Sequence, residues 1–291
     1  MTPKQILPPK TVNLGSTSVL RVIPRKEKRN IGPFVFLDHM GPAEIPPGKK
    51  IAILPHPHIG LATITYLFEG ALVHRDSTGI VQSIYPREIN WMTSGRGISH
   101  SERSEEKLEK TGFRLHGLQF WIALPADKED MPPEFQHISK DGLPKIQLDE
   151  CDIQLLAGNL FGKSAATQTL SPLLLLDVRL SARKKIKIPT NGMELGIYIV
   201  SGSLKLATGE IIQSPNFILP ENSDFLEIEA NENSILSIFG GENFPEPRFI
   251  DWNFVSTSKE KIEKAKFAWK NQDLTLFGNV PGETEYIPLM S

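Results

Sequence analysis

Apolar residues along the chain gather in short runs rich in Ile, Val, Leu, Tyr and Phe, broken at close intervals by Gly, Pro, Asn and Asp. Short apolar runs bounded by turn residues predict β-strands, and a succession of them predicts an all-β sandwich or barrel. The runs are IAIL from Ile51, ATITYLF from Ala62, GIVQSIY from Gly79, INWMT from Ile89, LQFWIAL from Leu118, LLLLDVRL from Leu173, ELGIYIV from Glu194, FLEIEA from Phe225 and ILSIFG from Ile235. One helix is expected. It begins near Thr257, where Thr257 and Glu260 have capping-box spacing, and continues through KEKIEKAKFAWK with Ile262, Ala265 and Trp269 on one stripe.

The strand pattern repeats. ATITYLFEG, the turn Ser77-Thr78-Gly79 and INWMT align with ELGIYIVSG, the turn at Thr208-Gly209 and NFILP, an offset of about 130 residues of the kind that duplicated β-domains leave. PADKEDMPPEFQHISKDGLP lies between the copies, rich in proline and charge and without period, and reads as an interdomain segment. The expected domains are therefore residues 1–139 and 140–291, the second carrying the helix and the tail.

With 291 residues and 40% apolar content, the chain can fill two cores. Its 32 basic and 34 acidic side chains leave a net charge of −2, with no long basic run, which argues against direct nucleic-acid binding. A lone cysteine, Cys151, cannot form an internal disulfide. No signal-like apolar segment or stretch of about 18 apolar residues is present, so no membrane association is expected. The expectation is a soluble protein of a reducing compartment: the cytoplasm, or the nucleus in a eukaryote.

Against this neutral background two stretches carry chemistry, HPHIG at 56–60 and GISHSE at 97–102. His56 with His58, and His100 with Glu102, are each two residues apart, the spacing that turns both side chains to one face of a strand. Three imidazoles and a carboxylate form a set suited to iron(II), manganese, nickel, cobalt, copper or zinc rather than calcium or magnesium. The repeat tests this idea internally. His56 and His58 align with Ile188 and Thr190, and no histidine follows His137, so only the first copy can build such a site.

GPFVFLDHMGP, HPHIGLATITYLFEG, VHRDSTG, NWMTSGRGISHSE and LHGLQFWIALP, with LSIFGGENFPEPRF further on, resemble the pirin family of the cupin superfamily over nearly the whole chain. The resemblance implies two tandem cupin-type, jelly-roll-like β-barrels with a C-terminal helix. It implies one iron(II) per chain in the first barrel, held by His56, His58, His100 and Glu102, with the second barrel free of metal. The chain departs from the family at Pro86-Arg87-Glu88, where Arg87 replaces a turn glycine, and at Ala62, where many cupins carry a glutamate that a ligating Glu102 makes unnecessary.

Other candidates have simpler readings. His74 and His116 are expected to be structural, with support of a ligand or contact with substrate as their alternative role; His39 and His137 read as surface residues. Gly95 and Gly97 read as a tight turn aiming the second ligand pair, Cys151 as a buried and unreactive side chain, and Trp91, Phe120 and Trp121 as core.

Two functions fit. The resemblance implies a quercetin 2,3-dioxygenase type of enzyme, in which a flavonol or catechol-like aromatic substrate and dioxygen meet at the metal and Glu102 doubles as general base. The alternative is a metal-containing interaction module that modulates a partner enzyme or transcription factor.

Overall fold

The computed structural model describes residues 1–14 and 17–289. It divides into two compact units, one of residues 1–38 with 141–244 and the other of residues 39–140 with 245–291. All seven histidines belong to the second.

In the histidine-bearing unit the strands are β1 (Ala52–His58), β2 (Leu61–Glu69), β3 (Leu72–Asp76), β4 (Val81–Ile84), β5 (Ile89–Thr93), β6 (Ile98–Ser104), β7 (Phe113–Ala123) and β8 (Glu134–Ile138). They form a small sheet ordered β1-β6-β3-β4 and a larger one containing β8-β5-β2-β7. The other unit contains β9 (Lys185–Pro189), β10 (Glu194–Ser201), β11 (Ser203–Lys205), β12 (Ile211–Gln213), β13 (Asn216–Pro220), β14 (Phe225–Ala230) and β15 (Ser234–Gly241). Its small sheet runs β9-β14-β11-β12, and β13-β10-β15 sit together in its large sheet. Each unit thus repeats the other with the strand number raised by eight: the repeat read from ATITYLFEG and ELGIYIVSG corresponds to β2 and β10, each an interior strand of its large sheet.

What fills the two sandwiches differs. In the unit without histidine, Ile186 and Ile188 of β9 lie opposite Ile228 and Leu226 of β14 and join a continuous apolar core with Leu176, Ile197 and Ile238. Burial of each such side chain contributes about 1.5–3 kcal/mol. In the other unit the corresponding strands β1 and β6 carry His56, His58, His100 and Glu102 inward instead.

The division of the chain departs from the linear one at both ends. Pro3–Leu7 pairs with β13, and Met1 and Ile6 pack on the apolar core of the unit without histidine. The C-terminal segment goes the other way: Phe254, Ile262, Ala265, Ala268, Trp269 and Phe277 cluster with Ile59, which follows β1 directly. The expected interdomain segment is also built in, since β8 pairs along its length with β5. Within it the buried Glu129 accepts hydrogen bonds from Ser256 Oγ and the Thr257 backbone N–H.

That bond explains a shift in the helix cap. Thr257 is engaged by Glu129, so helix α1 (Lys259–Lys270) is capped by Ser258, whose Oγ accepts from the Lys261 N–H at 3.3 Å. Ile262, Ala265 and Trp269 are buried as the stripe predicts. Arg87 adopts the left-handed conformation that glycine favours, at φ 69°, with its N–H bonded to Leu67 O.

The turn before β6 has no room for a side chain. Gly95 has φ +50°, and a Cβ there would lie 2.0 Å from Met131 O, whereas Gly79, at φ +94°, has open space around it. Gly79→Ala should therefore cost only the left-handed penalty, about 1–2 kcal/mol. Gly95→Ala should cost about 2–5 kcal/mol, because overpacking adds to that penalty. Urea unfolding of the two variants checks the difference; equal losses would show that the turn relaxes around the added methyl.

Candidate metal centre

β1 is the edge strand of its sheet, which lets it carry Pro55 and Pro57 in alternation with His56 and His58. β6 runs antiparallel beside it and puts His100 opposite His56 and Ile98 opposite His58. Beyond His100 the register slips, so that Glu102 falls opposite Ile53. The structure brings His56, His58 and His100 together with one ligand atom of each within 4.8 Å of the others, the one such cluster of His, Cys, Asp or Glu found among the described residues. Glu102 lies outside that triad.

The ring nitrogens that face away from the centre are fixed. His56 Nδ1 lies 2.9 Å from Leu54 O and His58 Nδ1 lies 3.0 Å from Asn253 O. A carbonyl only accepts, so both Nδ1 atoms carry the proton and both Nε2 atoms present lone pairs. Burial holds all three histidines below their ordinary range, His58 and His100 well below it, with the positive charge of neighbouring imidazoles adding to the effect on those two. Neutral imidazole is the form that binds metal.

Glu102 is buried and is held by neutral donors: Thr65 Oγ1 at 3.1 Å, and Gln119 Nε2 at 3.2 and 3.1 Å from its two oxygens. Among the described residues no lysine or arginine pairs with it. Its negative charge acts on His56, partly opposing the effect of burial there.

These observations test the fit of a metal. His58 Nε2 and His100 Nε2 lie 3.1 Å apart. Two nitrogens bound at right angles to one ion at about 2.1 Å are about 3 Å apart, so the spacing suits a shared divalent cation. A buried carboxylate without a basic partner, next to converging lone pairs, asks for the same positive charge. The donor set fits a transition metal.

Sequence reasoning missed the wall opposite. Gln119, Thr65, Asn90 and His137 lie in register across β7, β2, β5 and β8, and Trp121, Thr63, Met92 and Phe135 form the next row. The first row is polar and reaches Glu102 at one end; at the other, His137 Nδ1 lies 2.8 Å from Asn90 Oδ1, so His137 is a strand residue and not a surface histidine of a linker. The second row is largely apolar, and Trp121 meets His58 edge-on with ring centroids 5.2 Å apart, which makes it part of the site as well as of the core. The signal was available in the alternation of polar and apolar residues in ATITYLF and LQFWIAL, once their pairing is known.

A model of the Pirin family matches residues 16–122, and one of the Pirin C-terminal cupin domain matches residues 175–275. The chain belongs to the pirin family. It is 41% identical over 280 residues to a pirin-like protein of Caulobacter vibrioides, covering 95% of this chain and 96% of that one. The crystal structure of quercetin 2,3-dioxygenase from Acinetobacter baumannii is 33% identical and superposes with a TM-score of 0.89 over 99% of this chain and 95% of that one. The bacterial pirin YhhW of Escherichia coli, solved in complex with nickel(II), shares the fold at 17% identity, with a TM-score of 0.65 over 82% of this chain and 99% of that one. No helix among the described residues is long and apolar enough to cross a membrane.

The remaining residues differ more from expectation. His39 is buried, with Nε2 2.8 Å from His116 Nε2, and is no surface residue. His74 lies against His100, with the two Nδ1 atoms 3.3 Å apart. Cys151 is buried and its thiol is pushed up to about 12 by that burial, which makes it unreactive as expected.

Burial, and then the neighbouring His116, pushes His39 down to about 3 from its ordinary 6.5. Between those values the unfolded chain binds more protons, so this group's contribution to stability is intact above pH 6.5 and declines as the pH falls toward 3. His39→Gln should remove about 1 kcal/mol per pH unit from the slope of stability against pH in that window. Urea midpoints of the metal-free parent and variant at pH 6.5, 5.5 and 4.5 measure it, and parallel slopes would exclude the buried pair as a source of acid sensitivity.

Proposed function

We propose that this pirin is a metal-dependent dioxygenase of the quercetin 2,3-dioxygenase type, acting on flavonol or catechol-like substrates. His56, His58, His100 and Glu102 hold one iron(II) per chain, and other divalent transition metals fit the same donors. The carrying observation is the convergence of three neutral imidazoles beside a buried carboxylate that has no basic partner. The likeness to the Acinetobacter enzyme at 33% identity supports the substrate class.

A bound metal supplies a Lewis-acidic, redox-active centre at which an aromatic hydroxyl and dioxygen are brought together. The chain supplies the rest. Thr65 and Gln119 orient the Glu102 carboxylate, which accepts the proton of the substrate hydroxyl. The row of Trp121, Met92 and Phe135 offers apolar surface to a flat ring, while Gln119, Thr65 and Asn90 offer hydrogen bonds to its substituents.

Metal analysis of protein purified without chelators should give one ion per chain, and His58→Ala should lose it while remaining folded. Two ions per chain, with one in the unit that lacks histidine, would overturn the single-site assignment.

Glu102→Gln keeps the shape and an oxygen donor but removes the base, so it should retain part of the metal and lose most oxygen uptake per bound ion with a flavonol. Unchanged uptake per ion eliminates the proton-acceptor role. A metal-loaded parent that consumes no oxygen with any flavonol or catechol rejects the enzyme in favour of a metal-containing interaction module.

A further inference from the structure

Among the hydrogen bonds around the centre, one chain leads away from it to a group that no part of the metal reading uses. The Asp76 carboxylate is fully buried, and its two oxygens have different partners. Oδ1 accepts from the Thr78 N–H at 2.8 Å, Thr78 Oγ1 at 2.6 Å and the Ile80 N–H at 3.3 Å. Oδ2 faces His74 Nε2 at 3.0 Å. The other nitrogen of His74 faces His100 Nδ1, and the His74 ring stacks on Phe135 with centroids 4.7 Å apart. All of these residues lie in the histidine-bearing unit.

Among the described residues, His100 has no backbone carbonyl at Nδ1 of the kind that fixes His56 and His58. Its partner there is an imidazole nitrogen, which can donate or accept. Something else must therefore decide which nitrogen of His100 faces the metal with a lone pair. We propose that Asp76, acting through His74, makes that choice and is a positioning residue of the metal centre, an inference that rests on the metal reading above.

The polarity follows from donors and acceptors alone. Asp76 Oδ2 can only accept, so His74 carries its proton on Nε2 and leaves Nδ1 as an acceptor. His100 then donates from Nδ1 to His74, and His100 Nε2 is left bare toward His58. The turn at Ser77-Thr78-Gly79 enters through Thr78, whose two donors, with the Ile80 N–H, keep Oδ1 occupied and so reserve Oδ2 for His74.

Asp76→Asn tests this because the three donors on Oδ1 also dictate how the new amide sits. Its oxygen must take the Oδ1 position, which leaves its NH2 facing His74 Nε2. His74 would then accept at Nε2 and donate from Nδ1, and His100 would be forced to accept at Nδ1 and carry its proton on Nε2, the atom meant for the metal. The side chain keeps its size and its three hydrogen bonds, so a purely structural role predicts little change.

Zinc(II) is the probe, with affinity read by competition against a chromophoric chelator. Asp76→Asn should bind it about 10- to 100-fold more weakly than the parent, the usual scale for a partner of a ligating histidine. Melting of the metal-free forms should differ little. Nitrogen-15 spectra of the imidazoles should move the His74 proton from Nε2 to Nδ1, a readout independent of activity. His74→Asn places an amide oxygen near the position of Nδ1, so it should bind zinc nearly as the parent does. In that background Asp76→Asn should cost nothing further.

Should Asp76→Asn fold poorly, His74→Phe serves: it keeps the stack on Phe135, offers no acceptor, and should weaken zinc about tenfold or more where His74→Asn does not. Parent-like affinity of the variant under test, an unmoved His74 proton, or an equal penalty in the His74→Asn background overturns the relay while leaving the metal reading intact. A parent that binds no zinc overturns both.

Discussion

Converging imidazole lone pairs are the constraint on which the centre depends. His58 Nε2 and His100 Nε2 stand 3.1 Å apart in a buried setting, and His56 lies beside them. Left alone, such an arrangement is unfavourable, because dipoles of the same sense face one another away from water. It persists because each ring is held from behind. Leu54 O and Asn253 O fix two of the rings, and each of those carbonyls is itself positioned by a different part of the chain.

This requirement gives the C-terminal segment its place. Asn253 lies in the turn between the short strands Phe249–Asp251 and Phe254–Ser256, and Val255 N–H bonds to Ile59 O just beyond β1. Gly60 is needed there, since a Cβ would lie 2.0 Å from Val255 O. Trp269 Nε1 donates to Ile287 O and the Ile287 N–H to Pro55 O, so the tail covers the open edge of β1 immediately before His56. Helix α1, through Ile262 and Trp269, anchors the segment on Ile59. A segment that follows the second barrel in sequence thus packs on the first, and supports the strand that carries His56 and His58.

The parts of this arrangement that the sequence announces are those governed by local rules. Apolar runs bounded by turn residues placed β2, β7 and β10, and spacing by two put His56 with His58 on one strand face. The exchange of terminal segments had no local signal, because it depends on which sheet edge Pro3–Leu7 pairs with and on which apolar surface accepts Trp269. The same holds for His39 and His137. Each is polar and sits near proline or charge in the sequence, and only the pairing of His39 with His116 and of His137 with Asn90 explains why the first is buried and the second half-buried. Ser258 as the cap in place of Thr257 likewise reflects competition from Glu129, over a hundred residues away.

The two units show what the same strands do without that constraint. β9 and β14 offer Ile186, Ile188, Leu226 and Ile228 where β1 and β6 offer histidines and Glu102, and the sandwich closes on an apolar core. An apolar interior needs no carbonyl behind each side chain, no bulge to aim a carboxylate and no cover on the strand edge. The histidine-bearing unit needs all three, and its extra elements are explained by them: the slip between His100 and Glu102, the hairpin that presents Asn253, and the tail over Pro55. Stability in one unit comes from filling space; in the other it is tied to satisfying polar groups, the condition under which a buried site keeps its geometry.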